Sequence, residues 1–302
     1  VPEGPRGQEG LMEDRGTRAG SMRVLLRRCD GASGGFEEDA VVVEEPLEVR
    51  VREGREGEAV RFVVTMRTPG HDEDLAAGLL FSEGVIGAAD ELLDVARLDD
   101  ARTAPEVARN VVVVTVTPRP GNARVSARRA ELMSSACGVC GATSIDRVRE
   151  LAAAAGRRAG ETDREGPVVP ASVLTGLPES LRRQQAIFRS TGGLHAAGLF
   201  SADGTLVVAR EDVGRHNATD KAIGALLRLG RPAPPILLVS GRLGFEIAQK
   251  AALAGVRILC SVSAPTSLAV ELAEETGMTV IGFLRGERFN VYCRPERLDL
   301  GA

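Results

Sequence analysis

The chain has no tryptophan, one tyrosine and eight phenylalanines, too few rings for the stacking platforms on which single-stranded nucleic acids bind. Its formal net charge of -4 also denies it the basic excess that a phosphate backbone demands, so nucleic acid is not an expected partner. No run is long and apolar enough to cross a bilayer or to serve as the core of a signal peptide. A cytoplasmic protein without membrane contact is expected. Five cysteines, an odd number spread over 302 residues, do not make a disulfide framework. Lysine is nearly absent: of 38 basic residues only Lys221 and Lys250 carry an ammonium. A compact, movable point charge suits phosphate contact or proton transfer, and arginine replaces it poorly in either role.

Against this background the run Ser134-Ser135-Ala136-Cys137-Gly138-Val139-Cys140-Gly141 stands out. Two thiols two residues apart, each followed by glycine, can come within bonding distance on a backbone free to turn tightly. The segment Ser144–Ala152 reads as a helix, which would put both sulfurs at its amino end, where the dipole favours thiolate over thiol. Four chemistries remain open for such a pair: a redox dithiol, half of a zinc site, a persulfide-carrying relay and a structural disulfide. Zinc would need two more ligands, and no second Cys-x-x-Cys or paired-histidine motif exists to supply them. A disulfide across so short a loop adds little stability.

Taken in order, residues 1–22 are rich in Gly, Arg and Glu without periodicity and read as a disordered leader. Strands are expected over 40–51 and 59–66, around the turn-rich stretch 52–57. A surface helix is expected from His71 to Gly84, its acidic first turn complementing the dipole, and a buried strand over 110–117. After an Arg/Gly/Glu-rich linker at 156–167, a hairpin at 194–210 turns on Asp203-Gly204. Helices at 214–229, 244–254 and 266–276, each closed by glycine, then alternate with strands at 236–240, 256–260 and 279–283. The expectation is an α/β protein with a smaller, mainly β N-terminal part over 23–156 and an α/β domain over 168–302.

Parallel strands in such a series put their carboxyl ends on one edge, where ligands bind. The polar residues gather there. Each strand exit carries a cluster, with Arg215 and His216 in the first, Ser240 and Arg242 in the second, Ser263 and Thr266 in the third, and Arg285 through Asn290 in the fourth. Hydroxyls, glycines and arginines at helix amino ends are what a phosphate or pyrophosphate requires. Arg215 and Arg242 are the preferred phosphate contacts. His195 and His216 are candidates for proton transfer or ligand contact. Cys29, Cys260 and Cys293 read as incidental.

The motifs Cys137–Gly141, Thr191–Ala197, Glu211–Lys221, Ser240–Arg242, Phe245–Lys250, Ser261–Ser267 and Phe289–Tyr292 closely resemble the FdhD family, accessory sulfur carriers for formate dehydrogenase. The resemblance runs from about residue 40 to 293. It implies a cytidine-deaminase-like layered fold and a homodimer. It implies a sulfurtransferase that takes persulfide sulfur from a cysteine desulfurase and delivers it to the molybdenum bis-molybdopterin guanine dinucleotide cofactor before insertion into formate dehydrogenase. Carried over by position, Cys137 would bear the persulfide with Cys140 as its partner. Phe289, Asn290, Val291, Tyr292, Cys293 and Arg294 would help to grip the guanine dinucleotide. Both lysines fall inside family motifs. A cofactor-binding chaperone without catalysis is one rival. A deaminase-type zinc hydrolase is another, and against it the pattern His-x-Glu followed by Pro-Cys-x-x-Cys is absent.

Overall fold

The computed structural model describes residues 20–30, 33–98, 103–118 and 166–301. The Cys137–Cys140 loop, its expected helix and residues 156–165 of the expected linker therefore lie outside the described residues, as do residues 1–19 of the expected leader.

The chain opens with β1 (Ser21–Asp30) and β2 (Ser33–Val42), an antiparallel ribbon that takes in Ser21 and Met22, the last two residues of that leader. The strand expected over 40–51 is in fact two. β2 ends at Val42, and β3 (Glu45–Glu53) starts afresh in another sheet, with Pro46 near its beginning, where a missing N–H costs least. β3 turns back into β4 (Ala59–Arg67), which confirms the hairpin. α1 (Asp72–Ser82), β5 (Leu92–Arg97), the single turn α2 (Pro105–Ala108) and β6 (Val111–Val116) complete this half. Its sheet has the order β4-β3-β6-β5, with β3 and β6 parallel at its centre. All six residues of β6 are buried, as five valines around a single Thr115 in a central strand predict.

The second half begins with β7 (Val169–Pro170), α3 (Ala171–Gln184) and α4 (Ala186–Thr191), two helices the sequence reading did not anticipate. Next come the hairpin β8 (His195–Phe200) and β9 (Leu206–Asp212), then α5 (Arg215–Arg228), β10 (Ile236–Val239), α6 (Phe245–Leu253), β11 (Ile258–Ser261), α7 (Ser267–Thr276), β12 (Thr279–Arg285) and β13 (Arg288–Cys293). A two-residue β14 (Leu298–Asp299) closes the chain against β7. The large sheet runs β13-β12-β11-β10-β8-β9. β10, β11 and β12 are parallel, and β8 lies antiparallel between β10 and β9. β9 through β12 consequently point one way, and their carboxyl ends share one edge. Helices α5, α6 and α7 pack one face through Ala218, Ile247 and Leu272, while Leu174, Leu177 and Leu181 of α3 pack the other.

α1 is not the surface helix expected. It lies between the N-terminal sheet, on which Leu75, Ala76 and Leu80 pack, and α5. Two glycines set the approach. A Cβ on Gly78 would land on the carbonyl oxygen of Asp220, and one on Gly224 would land on that of Asp74. The charges at this seam are buried and paired. Asp72 accepts from Arg67 Nε (2.8 Å) and Arg97 Nη2 (3.0 Å), and Asp74 from Arg210 Nε (2.9 Å) and Arg228 Nη1. The acidic residues at the start of α1 thus answer arginines from both halves rather than only a helix dipole. The lysines are absorbed in the same way. Lys221 Nζ lies 2.7 Å from Asp212 Oδ2 and donates to the Thr68 carbonyl (2.8 Å), and Lys250 donates to both oxygens of Asp220 at 2.8 Å. Both ammoniums are thus engaged inside the protein, as compact three-donor cations.

Gly78→Ala or Gly224→Ala gains about 1 kcal/mol of helix propensity, but the methyl group meets backbone, which cannot swing aside. Each variant is expected to lose at least about 2 kcal/mol net, towards the upper end for overpacked cores, as measured by urea unfolding. A neutral result would show that the two helices can separate freely.

Candidate functional site

The shared edge is shaped by what caps the helices there. Gly214, Gly244 and Thr266 are the N-caps of α5, α6 and α7, and none makes a side-chain capping bond. Three helices thus begin at one edge without a capping side chain. The loop after β9 is fixed by Asp212, whose Oδ1 accepts from Gly214 N (2.9 Å) and Asn217 Nδ2 (3.1 Å) while Lys221 holds its Oδ2. This clamp presents Arg215 and His216 at the start of α5.

Arg215, His195 and Gly241 meet next to that loop. A Cβ on Gly241 would stand 3.1 Å from the His195 ring and 3.4 Å from Arg215 Cδ, so glycine is what lets the two side chains close over the turn. The Nε of Arg215 is buried and bonded to no described residue, a donor left open where the sequence predicts a phosphate contact. His216 Nε2 lies 3.0 Å from Glu246 Oε2, and that hydrogen bond holds the Glu246 carboxyl below its ordinary pKa. Burial, and after it the charge of Arg215, pushes His195 below the usual histidine value. Its imidazole is therefore neutral at pH 7.

On the α3 side of the same edge lies a cavity of about 690 Å³. Its walls include Leu181 and Phe188 from α3 and α4, and Leu238, Val262 and Leu284 from the sheet side. Its polar groups include His195, Ser240 and Gln185, with Arg182 and Arg285 among its exposed residues. The Arg182 guanidinium sits 5.4 Å from the centre of the Phe188 ring. Ser240 Oγ accepts from Ala196 N at 2.9 Å, which ties the β10 exit to β8.

Of the residues singled out in the sequence for ligand contact, His195, Ser240 and Arg285 line this cavity. Arg215 and His216 adjoin it through His195 and Gly241. Arg242 is exposed, and the Ser263 amide is held by Ser261 Oγ (2.9 Å), while Thr266 caps α7. Phe289 and Val291 pack into the apolar cluster that includes the cavity residues Leu181, Leu238, Val262 and Leu284. Asn290 and Tyr292 are exposed along β13. Cys293 is buried with its thiol 3.3 Å from the Met278 carbonyl, and Arg294 sits in the left-handed region at φ 52° with its side chain exposed. Thr175, Arg182, Gln185 and Phe188 were missed. The signal for their helix was available in the apolar spacing Leu174, Leu177, Leu181, although Pro178 inside it argues for a break.

Burial raises the thiols of Cys260 and Cys293, whereas Cys29 is exposed near the tip of the β1–β2 ribbon. Among the described residues no group of three His, Cys, Asp or Glu side chains could hold a metal ion, and no helix is long and apolar enough to cross a membrane.

Comparison with known proteins adds to this geometry. The model of the FdhD/NarQ family matches residues 42–299. The chain is 49% identical over 293 residues to the Sulfur carrier protein FdhD of Anaeromyxobacter sp. (strain K), covering 92% of this chain and 93% of that protein. It is 44% identical over 288 residues to the protein of that name from Streptomyces avermitilis, covering 94% and 98%. For the one from Thermoplasma volcanium the identity is 41% over 274 residues, covering 90% and 94%. Among solved structures it is similar to a candidate formate dehydrogenase accessory protein from Desulfotalea psychrophila, with a TM-score of 0.67 and 22% identity over 92% of this chain and 99% of that one. At that identity the likeness concerns the fold.

Because unfolded histidine takes up a proton near pH 6.5 and His195 does so only lower, the unfolded chain binds more protons as pH falls through that window, and stability declines. His71, also shifted down by burial, adds to the slope. Replacing His195 by glutamine should therefore reduce the fall in unfolding free energy between pH 7.5 and 5.5 without abolishing it. An unchanged slope in urea titrations would show that His195 titrates as freely as in the unfolded chain.

Proposed function

The chain belongs to the FdhD/NarQ family, and from that premise we propose that it is a sulfur carrier for formate dehydrogenase, loading a molybdenum-bound molybdopterin guanine dinucleotide cofactor before the enzyme receives it. The observation that carries this reading concerns thiols. Cys260 and Cys293 are sealed in the core, where burial disfavours their thiolates. Cys29 is exposed but stands alone on the ribbon, so the paired chemistry of a relay is assigned to Cys137 and Cys140, the two thiols of the Cys-x-x-Cys motif.

In this reading the Cys137 thiolate attacks the outer sulfur of a persulfide on a cysteine desulfurase. The donor's S–S bond breaks, a new one forms on Cys137, and the donor cysteine leaves as thiolate, with no net oxidation. Attack by the Cys140 thiolate on Cys137 would expel the carried atom as hydrosulfide and leave a Cys137–Cys140 disulfide. The two electrons that turn sulfane sulfur into sulfide come from the pair itself. The client cofactor is a substrate, presented at the edge where β9 to β12 end. The open Nε of Arg215 suits one of its phosphates, with Arg242 next to Gly241, the residue that lies against Arg215, and Phe289 to Arg294 on β13 and just after it. The proposal includes action in the cytoplasm, a homodimer, and a deaminase-like layering of the large sheet between its helices.

Cells lacking the protein and complemented with Cys137→Ala should show formate dehydrogenase activity no higher than cells with an empty vector. Activity near the wild-type level in that variant would remove Cys137 as carrier and leave a cofactor-binding chaperone.

A further inference from the structure

The N-terminal sheet leaves β5 at an edge, paired with β6 on one side and with no strand among the described residues on the other. Leu98 N–H donates inward to the Val111 carbonyl (2.9 Å), so by the alternation of an antiparallel ladder the N–H groups of Val95 and Arg97 point to the free side. β4, at the opposite edge, has its Met66 carbonyl taken by Asn217 Nδ2 (2.8 Å). β5 also carries a bulge. Leu92 pairs with Val116 and Asp94 with Thr115, which leaves Leu93 as the extra residue between them. A bulge re-aims a side chain, and Leu93 is 37% exposed.

Beside that edge lies a groove of about 890 Å³, between β5 and the C-terminal end of α5. Leu92, Val95 and Leu227, half-buried against the N-terminal core, supply its apolar lining, and Leu229 adds a side chain that is 65% exposed. The rim is acidic. Asp90 and Asp94 are exposed there, and the negative end of the α5 dipole adds to them. Arg228, beside them, is held by Asp74 (2.6 Å).

An open sheet edge, an apolar lining and an acidic rim together fit strand addition, in which main-chain hydrogen bonds give affinity and alternate side chains fill the groove. We propose that the groove receives an extended segment of the sulfur donor protein in which aliphatic residues alternate with basic ones, seated along β5 between Leu93 and Leu229. The groove and the chemistry of the segment stand on the structure, whereas naming the donor as its source rests on the sulfur-carrier reading. Position favours the donor. α5 begins at the ligand edge and ends at the groove, and its fourteen residues at about 1.5 Å each hold the two about 21 Å apart. A protein docked here therefore leaves the cofactor edge open, while an enzyme that takes the cofactor must face that edge. Thr117 N–H donates to the Glu91 carbonyl (2.9 Å), between the groove residues Asp90 and Leu92, so the chain leaves β6 next to the groove on its way to Cys137.

The test is calorimetric titration of the full chain with the cysteine desulfurase, in the wild type, in Leu229→Lys and in the double variant Asp90→Lys and Asp94→Lys, each checked by a thermal melt. The expected result is binding weakened tenfold or more in each variant, with wild-type affinity falling as salt rises from about 50 to about 300 mM, as a charge-assisted contact requires. Loading of Cys137 by the desulfurase should slow in step, and loading by a low-molecular-weight persulfide should not change. The aspartate pair decides the matter if Leu229→Lys proves unstable. Affinity within twofold of wild type in a folded variant, or no binding of the desulfurase by the wild type, would overturn the proposal. Weakened binding of formate dehydrogenase or weakened self-association, with desulfurase binding intact, would overturn it too. Groove-dependent binding without any loading of the wild type would support the docking surface and fault the carrier reading alone.

Discussion

Everything at the candidate site hangs on the seam where α1 crosses α5. Four aspartates, Asp72, Asp74, Asp212 and Asp220, are buried there, and each is met by arginine or lysine. Losing one partner from such a pair typically costs about 3–5 kcal/mol, because the remaining charge stays buried. The pairs are therefore interdependent, and they can form only if the helices touch backbone to backbone, which Gly78 and Gly224 permit. Packing allows the approach and charge fixes its register.

The site inherits its geometry from that register. Asp212 is one end of the Lys221 pair and also the anchor for Gly214 and Asn217, so the loop that presents Arg215 and His216 is positioned by the same contact that joins the two halves. Thr68, from the N-terminal half, donates its N–H to Asp212 and its carbonyl receives Lys221. The ligand edge is accordingly rigid on the side of α5 to α7. On the opposite side, α3 and α4 close a slot against the sheet, with Gln185 at their junction. Arg215, with its unpaired Nε, and the cavity sit either side of His195 and Gly241.

Much of this was legible in the sequence because it depends on local signals. The glycines closing α5 and α7 and the Asp-Gly turn between β8 and β9 mark their elements directly, and the strand exits fall where a parallel series puts them. What escaped notice depends on tertiary contact. α1 carries three acidic residues in its first turn and reads as solvent-facing, and only the arrival of Arg67, Arg97, Arg210 and Arg228 from distant strands and a helix makes burial possible. Lys221 and Lys250 were marked as unusual for a sound reason, but their partners are 9 and 30 residues away in sequence on other elements, so their role as seam cations was not readable. α3 was hidden by Pro178, and Gln185 has no motif at all.

The central claim is that Cys137 carries sulfur, and intact-protein mass spectrometry after incubation with a cysteine desulfurase and cysteine tests it most directly. The wild type should gain roughly 32 Da, one sulfur atom on a thiol, and Cys137→Ala should not, while Cys29→Ser, removing the exposed thiol of the ribbon, should load as the wild type does. An adduct that persists in Cys137→Ala, or none on the wild type, would contradict the account.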